Sequence, residues 1–296
     1  MSTAAARGSR VRLDQLLVDR GLVPSRTRAQ ALLLGGRVRV GDGDAARLDR
    51  KPGDLVDAAV AIAIAEPEPY VSRGGHKLAA ALDAFDIDPD GLVCLDVGAS
   101  TGGFTDVLLQ RGASRVYALD VGRGQLAEQL RADPRVVSME RTNARTLGPR
   151  VLPEPVSLAV VDVAFISLDK VLGPVAGCFD RSRSGRIVPL VKPQFEAGKG
   201  RTDHGVVRDP AVHREVLERV SGVAVAAGLA VRGLIASPVL GPDGNREFLL
   251  DLEVPPDRSA SAGQRALPND WVSTIAAVVG SGSTRAEGAV QAAGVS

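Results

Sequence analysis

The region from residue 92 to residue 254 alternates short apolar runs with helical stretches, and this alternation constrains the fold more than any other feature. Seven runs have the length of single strands, at residues 92–97, 115–120, 136–139, 157–163, 187–191, 230–236 and 247–254. Helical periodicity is found between them at residues 104–111, 125–131 and 211–227. Strands that alternate with helices usually form one parallel sheet with crossover helices, so we expect an α/β domain.

The first forty residues differ from the rest of the chain in charge. They contain two acids, Asp14 and Asp19, and eight arginines: Arg7, Arg10, Arg12, Arg20, Arg26, Arg28, Arg37 and Arg39. The local balance is therefore strongly positive, although the formal net charge of the whole chain is only +1. Such an asymmetry is typical of a module that binds a polyanion. These residues include no aromatic side chain on which a base could stack. We therefore expect the module to recognise the backbone and the shape of a nucleic acid.

The same N-terminal stretch has the pattern of a small α+β module. Leu13, Leu16 and Leu17 recur at helical spacing up to Gly21, and Ser25 is a candidate N-cap for a second helix. Short strand-like runs follow at residues 37–40, 55–56 and 60–64. The proline-containing stretch at 66–69 then predicts an extended linker.

Residues 96–104, with the sequence DVGASTGGF, follow an apolar strand directly and open a helix. Glycines let the backbone of such a turn approach a ligand, and the helix N-terminus offers free N–H groups. Asp120, at the end of the next strand, is placed to bind ribose hydroxyls. The loop alone predicts a nucleotide-like cofactor, for either hydride or methyl transfer, but its glycine spacing departs from the G-x-G-x-x-G of dinucleotide sites.

Three further motifs carry a family resemblance: residues 72–78 (SRGGHKL), 162–168 (DVAFISL) and 188–196 (VPLVKPQFE). Together with the glycine-rich loop they resemble the RrmJ/FtsJ-like RNA ribose methyltransferases, and specifically the TlyA family, which was historically described as haemolysins. The stretches RLDQLL at 12–17, SRTRA at 25–29 and GRVRV at 36–40 are similar to an S4 RNA-binding domain. The resemblance covers about residues 10 to 254.

This resemblance implies a Rossmann-like class I methyltransferase domain with a mostly parallel seven-stranded sheet, preceded by a small α+β S4-type RNA-binding domain. We assign residues 1–65 to the S4-like domain, 66–71 to a linker and 72–255 to the methyltransferase domain. The composition of residues 256–296 predicts a flexible tail, with a short helix at 271–279. The implied reaction is 2′-O-methylation of ribosomal RNA, at a cytidine of 16S or 23S rRNA, with S-adenosylmethionine as cofactor.

The resemblance also carries a catalytic set of Lys77, Asp162, Lys192 and Glu247. A ribose hydroxyl is a poor nucleophile, so a basic group must take its proton as it attacks the methyl group in line. We expect Lys192 to take that proton and Lys77 to position the hydroxyl. Asp162 is expected either to hold Lys192 or to lie against the cationic centre of the donor, and Glu247 to orient a lysine. Which lysine is neutral during attack stays open.

Two further sets of side chains are predicted to bind ligands. The cofactor set is Asp96, Gly98, Ser100, Thr101, Gly102, Gly103, Phe104, Asp120 and Asn143. Within it, Asp96 is expected to accept from the ammonium group of the donor, and Asn143, with Arg145 nearby, to lie on the adenine side. The RNA set is Arg12, Arg26, Arg28, Arg37 and Arg39. Sequence specificity is expected from the 162–168 segment or the 198–201 loop.

Several classes of site are disfavoured by the sequence. His76, His204 and His213 have no Cys or His partner at ligand spacing, so no metal site is expected. Cys94 and Cys178 lie in apolar surroundings and are expected to be buried thiols. Neither a signal peptide nor a long apolar run is present, which predicts a cytoplasmic protein, and we expect a monomer that acts on rRNA within ribosomal subunits.

Two other functions remain as alternatives. A ribosome-assembly factor could retain this fold and bind rRNA without catalysis, although the full set of two lysines and two acids argues against it. A haemolysin-type role would require an amphipathic or membrane-spanning segment, whereas the longest apolar stretches are predicted to be buried strands.

Overall fold

The structure is a computed structural model, and it describes residues 10–43, 46–65, 68–198, 200–257 and 267–281. The chain divides into two compact units, Met1–Pro69 and Tyr70–Ser296. The division falls inside the segment that the sequence predicts as a linker. In the described ranges, no helix combines the length and the apolar character that crossing a membrane requires.

The described residues of the N-terminal unit form two helices and two small antiparallel sheets. Its elements are β1 (Arg10–Arg12), α1 (Leu13–Asp19), α2 (Arg26–Leu34), β2 (Val38–Val40), β3 (Leu55–Asp57) and β4 (Ile62–Ile64). β1 pairs with β3, and β2 pairs with β4. The predicted N-cap is confirmed, because the Ser25 hydroxyl accepts from the backbone N–H of Arg28 at 3.2 Å. Leu13, Leu17 and Val38 are completely buried between the helices and strands.

The second unit contains all seven predicted strands. They are β5 (Val93–Val97), β6 (Arg115–Leu119), β7 (Val136–Met139), β8 (Leu158–Val161), β9 (Gly185–Val191), β10 (Ala230–Ala236) and β11 (Phe248–Val254). Its helices are α3 (Gly74–Ala84), α4 (Gly103–Gln110), α5 (Glu128–Arg131), α6 (Leu172–Ala176), α7 (Pro193–Glu196), α8 (Pro210–Ala226) and α9 (Trp271–Gly280). The predicted helices correspond to α4, α5, α8 and, at residues 271–279, α9. The sequence pattern predicts neither α3 nor the short helices α6 and α7.

The seven strands form one sheet in the order β10-β11-β9-β8-β5-β6-β7. β9, β8, β5, β6 and β7 are parallel, whereas β11 is antiparallel to both of its neighbours, which confirms a mostly parallel sheet. Successive side chains of β5 point to opposite faces, since Cys94 belongs to one core cluster and Leu95 to the other. Because β11 runs in reverse, its first residues lie at the same edge as the last residues of the parallel strands.

The short helix that the sequence predicts at residues 271–279 of the tail is present, but it is packed into the core and is not part of a flexible segment. This helix is α9, whose side chains Trp271, Ile275 and Val279 are at most 3% exposed and belong to the core of the second unit. Their spacing of four residues places all three on one helix face, and burial of that apolar face holds the helix in place. Residues 258–266 and 282–296 of the predicted tail lie outside the described residues. Both cysteines are buried, as predicted.

Candidate active site

Five adjacent strands bring the predicted site residues to one edge of the sheet. Glu247 directly precedes β11, and Lys192, Asp162, Gly98 and Asp120 directly follow β9, β8, β5 and β6. Ligands of open α/β sheets bind outside the carboxyl ends of the strands, where the loops can surround them. Residues that are far apart in the sequence therefore become neighbours because of strand order alone.

The glycine-rich loop approaches this edge closely through its backbone. Gly98 has a φ of +88°, and a Cβ there would overlap the carbonyl oxygen of Asp162, so only glycine fits. Ser100 also has a positive φ, of +49°, and its N–H donates to Asp120 Oδ2 at 2.8 Å. Gly102 faces the side chain of Leu130, where a Cβ would clash. The loop is thus shaped by the body of the unit, and its N–H groups are directed toward the sheet edge.

Asp96 lies beneath this loop and not in the cleft, which differs from its predicted contact with an ammonium group. Its side chain is 0% exposed, and Thr105 Oγ1 donates to its Oδ2 at 2.7 Å. Its Oδ1 has no hydrogen-bond partner among the described residues. Burial raises the pKa of Asp96 to about 7, since a charged carboxylate is disfavoured away from water. Phe104, 3% exposed, belongs to the core cluster beneath the loop, where it lines the floor of the cleft.

Two adjoining cavities open at the sheet edge. The first, of about 290 Å³, is lined by Lys77 and Glu247 and by parts of the glycine-rich loop. The second, of about 530 Å³, is lined by Asp120, Asn143 and Phe165. Four residues line both cavities: Gly98, Ser100, Asp162 and Lys192. An elongated ligand could therefore occupy both cavities and pass between the loop and Lys192.

Each of the two lysines has its own carboxylate. Lys77 of α3 forms an ion pair with Glu247, and Lys192 forms one with Asp162. The first pair is the more buried, with side-chain exposures of 10% for Lys77 and 0% for Glu247. A buried charge is costly unless it is paired, so each carboxylate fixes the position of its lysine. Of the two roles predicted for Asp162, the contact with Lys192 is formed.

Glu196 is a buried carboxylate that the sequence analysis left without a role. It accepts from the hydroxyl of Ser167 at 2.7 Å, from the N–H of Leu168 at 2.8 Å and from Arg219 at 2.5 Å. The 162–168 loop is thereby joined to the segment that begins at Lys192. The signal was present in the sequence, because Glu196 is an acid that ends the VPLVKPQFE motif.

Phe165 is the second residue that the sequence analysis did not single out. It is 89% exposed, has a φ of +62° and lines the second cavity. Its ring lies 4.9 Å from the ring of Phe195, measured between centroids. A bulky residue normally has a β-region backbone, so the positive φ strains the backbone at Phe165. Its exposed ring beside the second cavity is a candidate contact surface for a ligand.

The lining of the two cavities suits a nucleoside that carries a charged substituent. In the second cavity, the carboxylate of Asp120 can accept from sugar hydroxyls, Val121 and Ile166 supply apolar surface for a base, and Asn143 offers an amide. The first cavity contributes residues of the glycine-rich loop and the charged side chains of Lys77, Asp162, Lys192 and Glu247. S-adenosylmethionine is a nucleoside with a charged substituent, and the residues that line the two cavities fit it.

The predicted RNA-binding arginines separate into two groups. Arg12 and Arg26 both contact the carboxylate of Asp14. Arg37 and Arg39 each donate to a backbone carbonyl, of Ala65 and Gly43 respectively, both at 2.8 Å. Arg28 is exposed on α2, and its backbone N–H completes the helix cap. The structure therefore brings two of the five together at one point.

Comparison with known proteins gives consistent matches to both units. The FtsJ-like methyltransferase model matches residues 70–253, and the S4 domain model matches residues 11–43. The 16S/23S rRNA (cytidine-2′-O)-methyltransferase TlyA of Mycobacterium tuberculosis H37Rv is 49% identical over 256 residues, covering 86% of this chain and 93% of that protein. Hemolysin A of Brachyspira hyodysenteriae is 38% identical, covering 81% of this chain and 98% of that protein.

A solved structure supports the same grouping. A Streptococcus thermophilus protein that is named as a hemolysin superposes with a TM-score of 0.69 at 39% identity, covering 94% of this chain and 98% of that one. The matched proteins thus carry two kinds of name, methyltransferase and hemolysin, on one fold.

Proposed function

The chain belongs to the FtsJ-like methyltransferase family and, within it, to the TlyA group, and we propose that it methylates a ribose 2′-hydroxyl of ribosomal RNA with S-adenosylmethionine as donor. The observation that carries this proposal is the pair of lysine–carboxylate contacts, Lys77 with Glu247 and Lys192 with Asp162, beside the glycine-rich loop. The two lysines line the first cavity, one on α3 and one at the end of β9. A hydroxyl in that cavity would meet basic and cationic groups together.

The residues that would hold the donor are those of the glycine-rich loop, with Asp120 and Asn143 in the second cavity. The bound donor supplies an electrophilic methyl group on a cationic sulfur. Asp162 lines both cavities, so its carboxylate would lie near that cationic centre while it pairs with Lys192. Negative charge at this junction stabilises a cation more strongly where water is excluded.

The chain's own groups then act on the hydroxyl. Lys192 is an ammonium in its ion pair with Asp162, so it must first release a proton to solvent. The neutral amine then takes the hydroxyl proton on Nζ as the oxygen attacks, and Asp162 stabilises the ammonium that results. Lys77 directs positive charge at the oxygen while negative charge develops on it, and Glu247 fixes the position of Lys77. With an in-line approach of the oxygen, the reaction needs accurate placement more than covalent chemistry by the protein.

Ribosomal RNA is proposed as the substrate because of the basic N-terminal unit and the S4 model match. The Mycobacterium tuberculosis relative is named as a 16S/23S rRNA (cytidine-2′-O)-methyltransferase, so a cytidine of 16S or 23S rRNA is the first candidate. A nucleotide inside a helix would have to leave its stack for its 2′-oxygen to reach the first cavity. Such a substrate implies action in the cytoplasm, where we expect a single copy of the chain to be sufficient.

The test is transfer of a labelled methyl group from S-adenosylmethionine to intact 30S subunits, intact 50S subunits and naked rRNA. We expect label in rRNA, resistance of the labelled linkage to alkali and, after digestion, 2′-O-methylcytidine as the labelled nucleoside. Alkali resistance identifies the 2′-oxygen, because cleavage of RNA by base requires a free 2′-hydroxyl.

The outcomes separate the candidate functions. Alkali-labile label would place the methyl group on a base and overturn the 2′-O assignment. Tight rRNA binding without donor binding or transfer would favour the non-catalytic assembly factor. A variant with both Lys77 and Lys192 replaced by alanine controls for contaminating methyltransferases.

A further inference from the structure

The N-terminal unit contains an acid that is completely buried at the start of α1. Asp14 is 0% exposed, and three side chains donate to its carboxylate. Arg12 donates through Nε to Oδ1 at 3.1 Å and through Nη2 to Oδ2 at 3.0 Å. Arg26 and Gln30 donate to the same Oδ2, at 2.8 and 3.1 Å. The side chain of Arg12 holds the pKa of Asp14 well below its usual range, so the carboxylate is charged at neutral pH.

The two arginines are fixed on their inner side and open to solvent on the other. The side chains of Arg12 and Arg26 are 50% and 49% exposed. Because both Nη2 atoms contact one oxygen of Asp14, the two guanidinium groups are close neighbours. Each guanidinium has more N–H donors than Asp14 accepts, so donors remain on the exposed side. Two positive charges share one carboxylate, which leaves the group with a net positive charge.

This arrangement has the properties of an anion site, and an oxyanion of tetrahedral geometry suits it. Guanidinium groups bind phosphate through parallel N–H···O bonds, and two adjacent forks can contact one phosphate or two successive ones. Without a carboxylate between them, two adjacent guanidinium groups repel each other and lose their fixed geometry. The buried acid in this basic unit is therefore explained if anion binding depends more on the orientation of the two arginines than on their total charge.

Arg12 and Arg26 are two of the arginines already expected to bind RNA, and we propose that Asp14 is the positioning residue which fixes them as a clamp for the phosphodiester backbone. The inference rests on the proposed function only in taking RNA as the ligand. The effect on RNA affinity expected from loss of Asp14 is opposite to the effect expected from net charge alone. Removal of a negative charge from a polyanion-binding unit should strengthen binding, whereas loss of the positioning carboxylate should weaken it.

The experiment compares Asp14→Asn with Asp49→Asn in the full chain, with naked 23S rRNA as the probe. Asp49 is the matched control, since it belongs to the same unit, pairs with Arg47 and has a side chain that is 65% exposed. For Asp14→Asn we expect binding about tenfold weaker at 0.15 M salt and a slope of log K against log salt that is smaller by about 1. For Asp49→Asn we expect unchanged or slightly tighter binding. Equal or tighter binding by Asp14→Asn would overturn the inference.

Loss of amide-exchange protection in α1 and α2 would show that Asp14→Asn unfolds the unit. In that case a second pair of variants tests whether the geometry of the two arginines determines RNA affinity. Arg12→Lys and Arg26→Lys preserve the charge but remove the planar fork, and we expect each to bind the RNA at least threefold more weakly. Unchanged affinity in both would overturn the clamp. Failure of the wild-type chain to bind rRNA would instead contradict the proposed function, so the two failures are distinguishable.

Discussion

The ammonium group of Lys77 lies against the carboxylate of Glu247, although 170 residues separate them in the sequence. Lys77 belongs to α3, which precedes the first strand of the large sheet, and Glu247 stands directly before the last strand, β11. The pair therefore joins the two ends of the methyltransferase fold at the first cavity. Its formation requires the whole sheet to be assembled.

Because this pair is buried, removing both partners should lower the free energy of unfolding by less than the two single losses added together. Lys77→Met leaves Glu247 as an unpaired buried charge, and Glu247→Leu leaves Lys77 unpaired. We expect each to lower the free energy of unfolding by about 3 kcal/mol and the double variant to lose less than the sum. Urea unfolding followed by the fluorescence of Trp271, the single tryptophan of the chain, measures the cycle. Additive losses would mean that the two side chains do not interact.

Replacement of Lys192 should separate donor binding from catalysis. We expect Lys192→Ala to bind S-adenosylmethionine within about threefold of wild type and to lose at least roughly a hundredfold in kcat, since a general base contributes about 10² to 10⁴. Calorimetric titration of the donor and the methyl-transfer assay give the two values. Lys170→Ala, at an exposed lysine, is the control. Substantial turnover by Lys192→Ala would remove Lys192 from the mechanism.

Gly241 offers a test of Glu247 that leaves the carboxylate itself unaltered. A Cβ at position 241 would overlap Glu247 Oε1 and displace the carboxylate from Lys77. We expect Gly241→Ala to lower kcat about tenfold or more while the fold is preserved, because the flexible carboxylate can move aside. Gly222→Ala on α8 is the matched control, since its Cβ would meet nothing within 4 Å. Equal activity of the two variants would show that the position of Glu247 is not critical.

The sequence predicts the sheet well because strand length and apolar composition are local properties. It also predicts Lys192 and Asp162 as site residues, since both end apolar strands where an unpaired charge is costly. It leaves the lysine partner of Glu247 open and gives the contact of Asp162 with Lys192 only as one of two roles, because the pairing depends on the strand order that places β9 beside β8 and β11. For Asp96 the sequence predicts a carboxylate near the loop but not the direction of its side chain. A carboxylate at a strand end can face the ligand or lie beneath the loop, and only packing decides between them.

The contacts of Glu196 predict a role in positioning the two catalytic loops. Glu196→Ala removes the acceptor for Ser167 and Leu168, so the Asp162 loop should move relative to Lys192. We expect kcat to fall about tenfold with little change in KM for RNA. Glu196→Gln keeps one acceptor oxygen, enough for the N–H of Leu168, so we expect it to recover part of the activity. Glu215→Ala, at an acid on α8 whose side chain is 61% exposed and pairs with Arg201, is the control. A fall in thermal stability with unchanged kcat would limit Glu196 to a structural role.

The raised pKa of Asp96 predicts how the stability of the second unit depends on pH. The unfolded chain releases this proton near the ordinary value of 3.8, whereas the folded chain retains it up to about 7. Between these values the folded state binds more protons, so the contribution of Asp96 to stability falls as the pH rises. Asp96→Asn cannot ionise and still offers an oxygen to Thr105. We therefore expect the stability of this variant relative to wild type to improve between pH 4 and pH 8, by roughly 4 kcal/mol at most. Urea titrations monitored at Trp271 measure this difference, with the exposed Asp169→Asn as control. A difference that is constant with pH would mean that Asp96 is charged throughout, and its burial would then have to be offset by a contact that forms in solution.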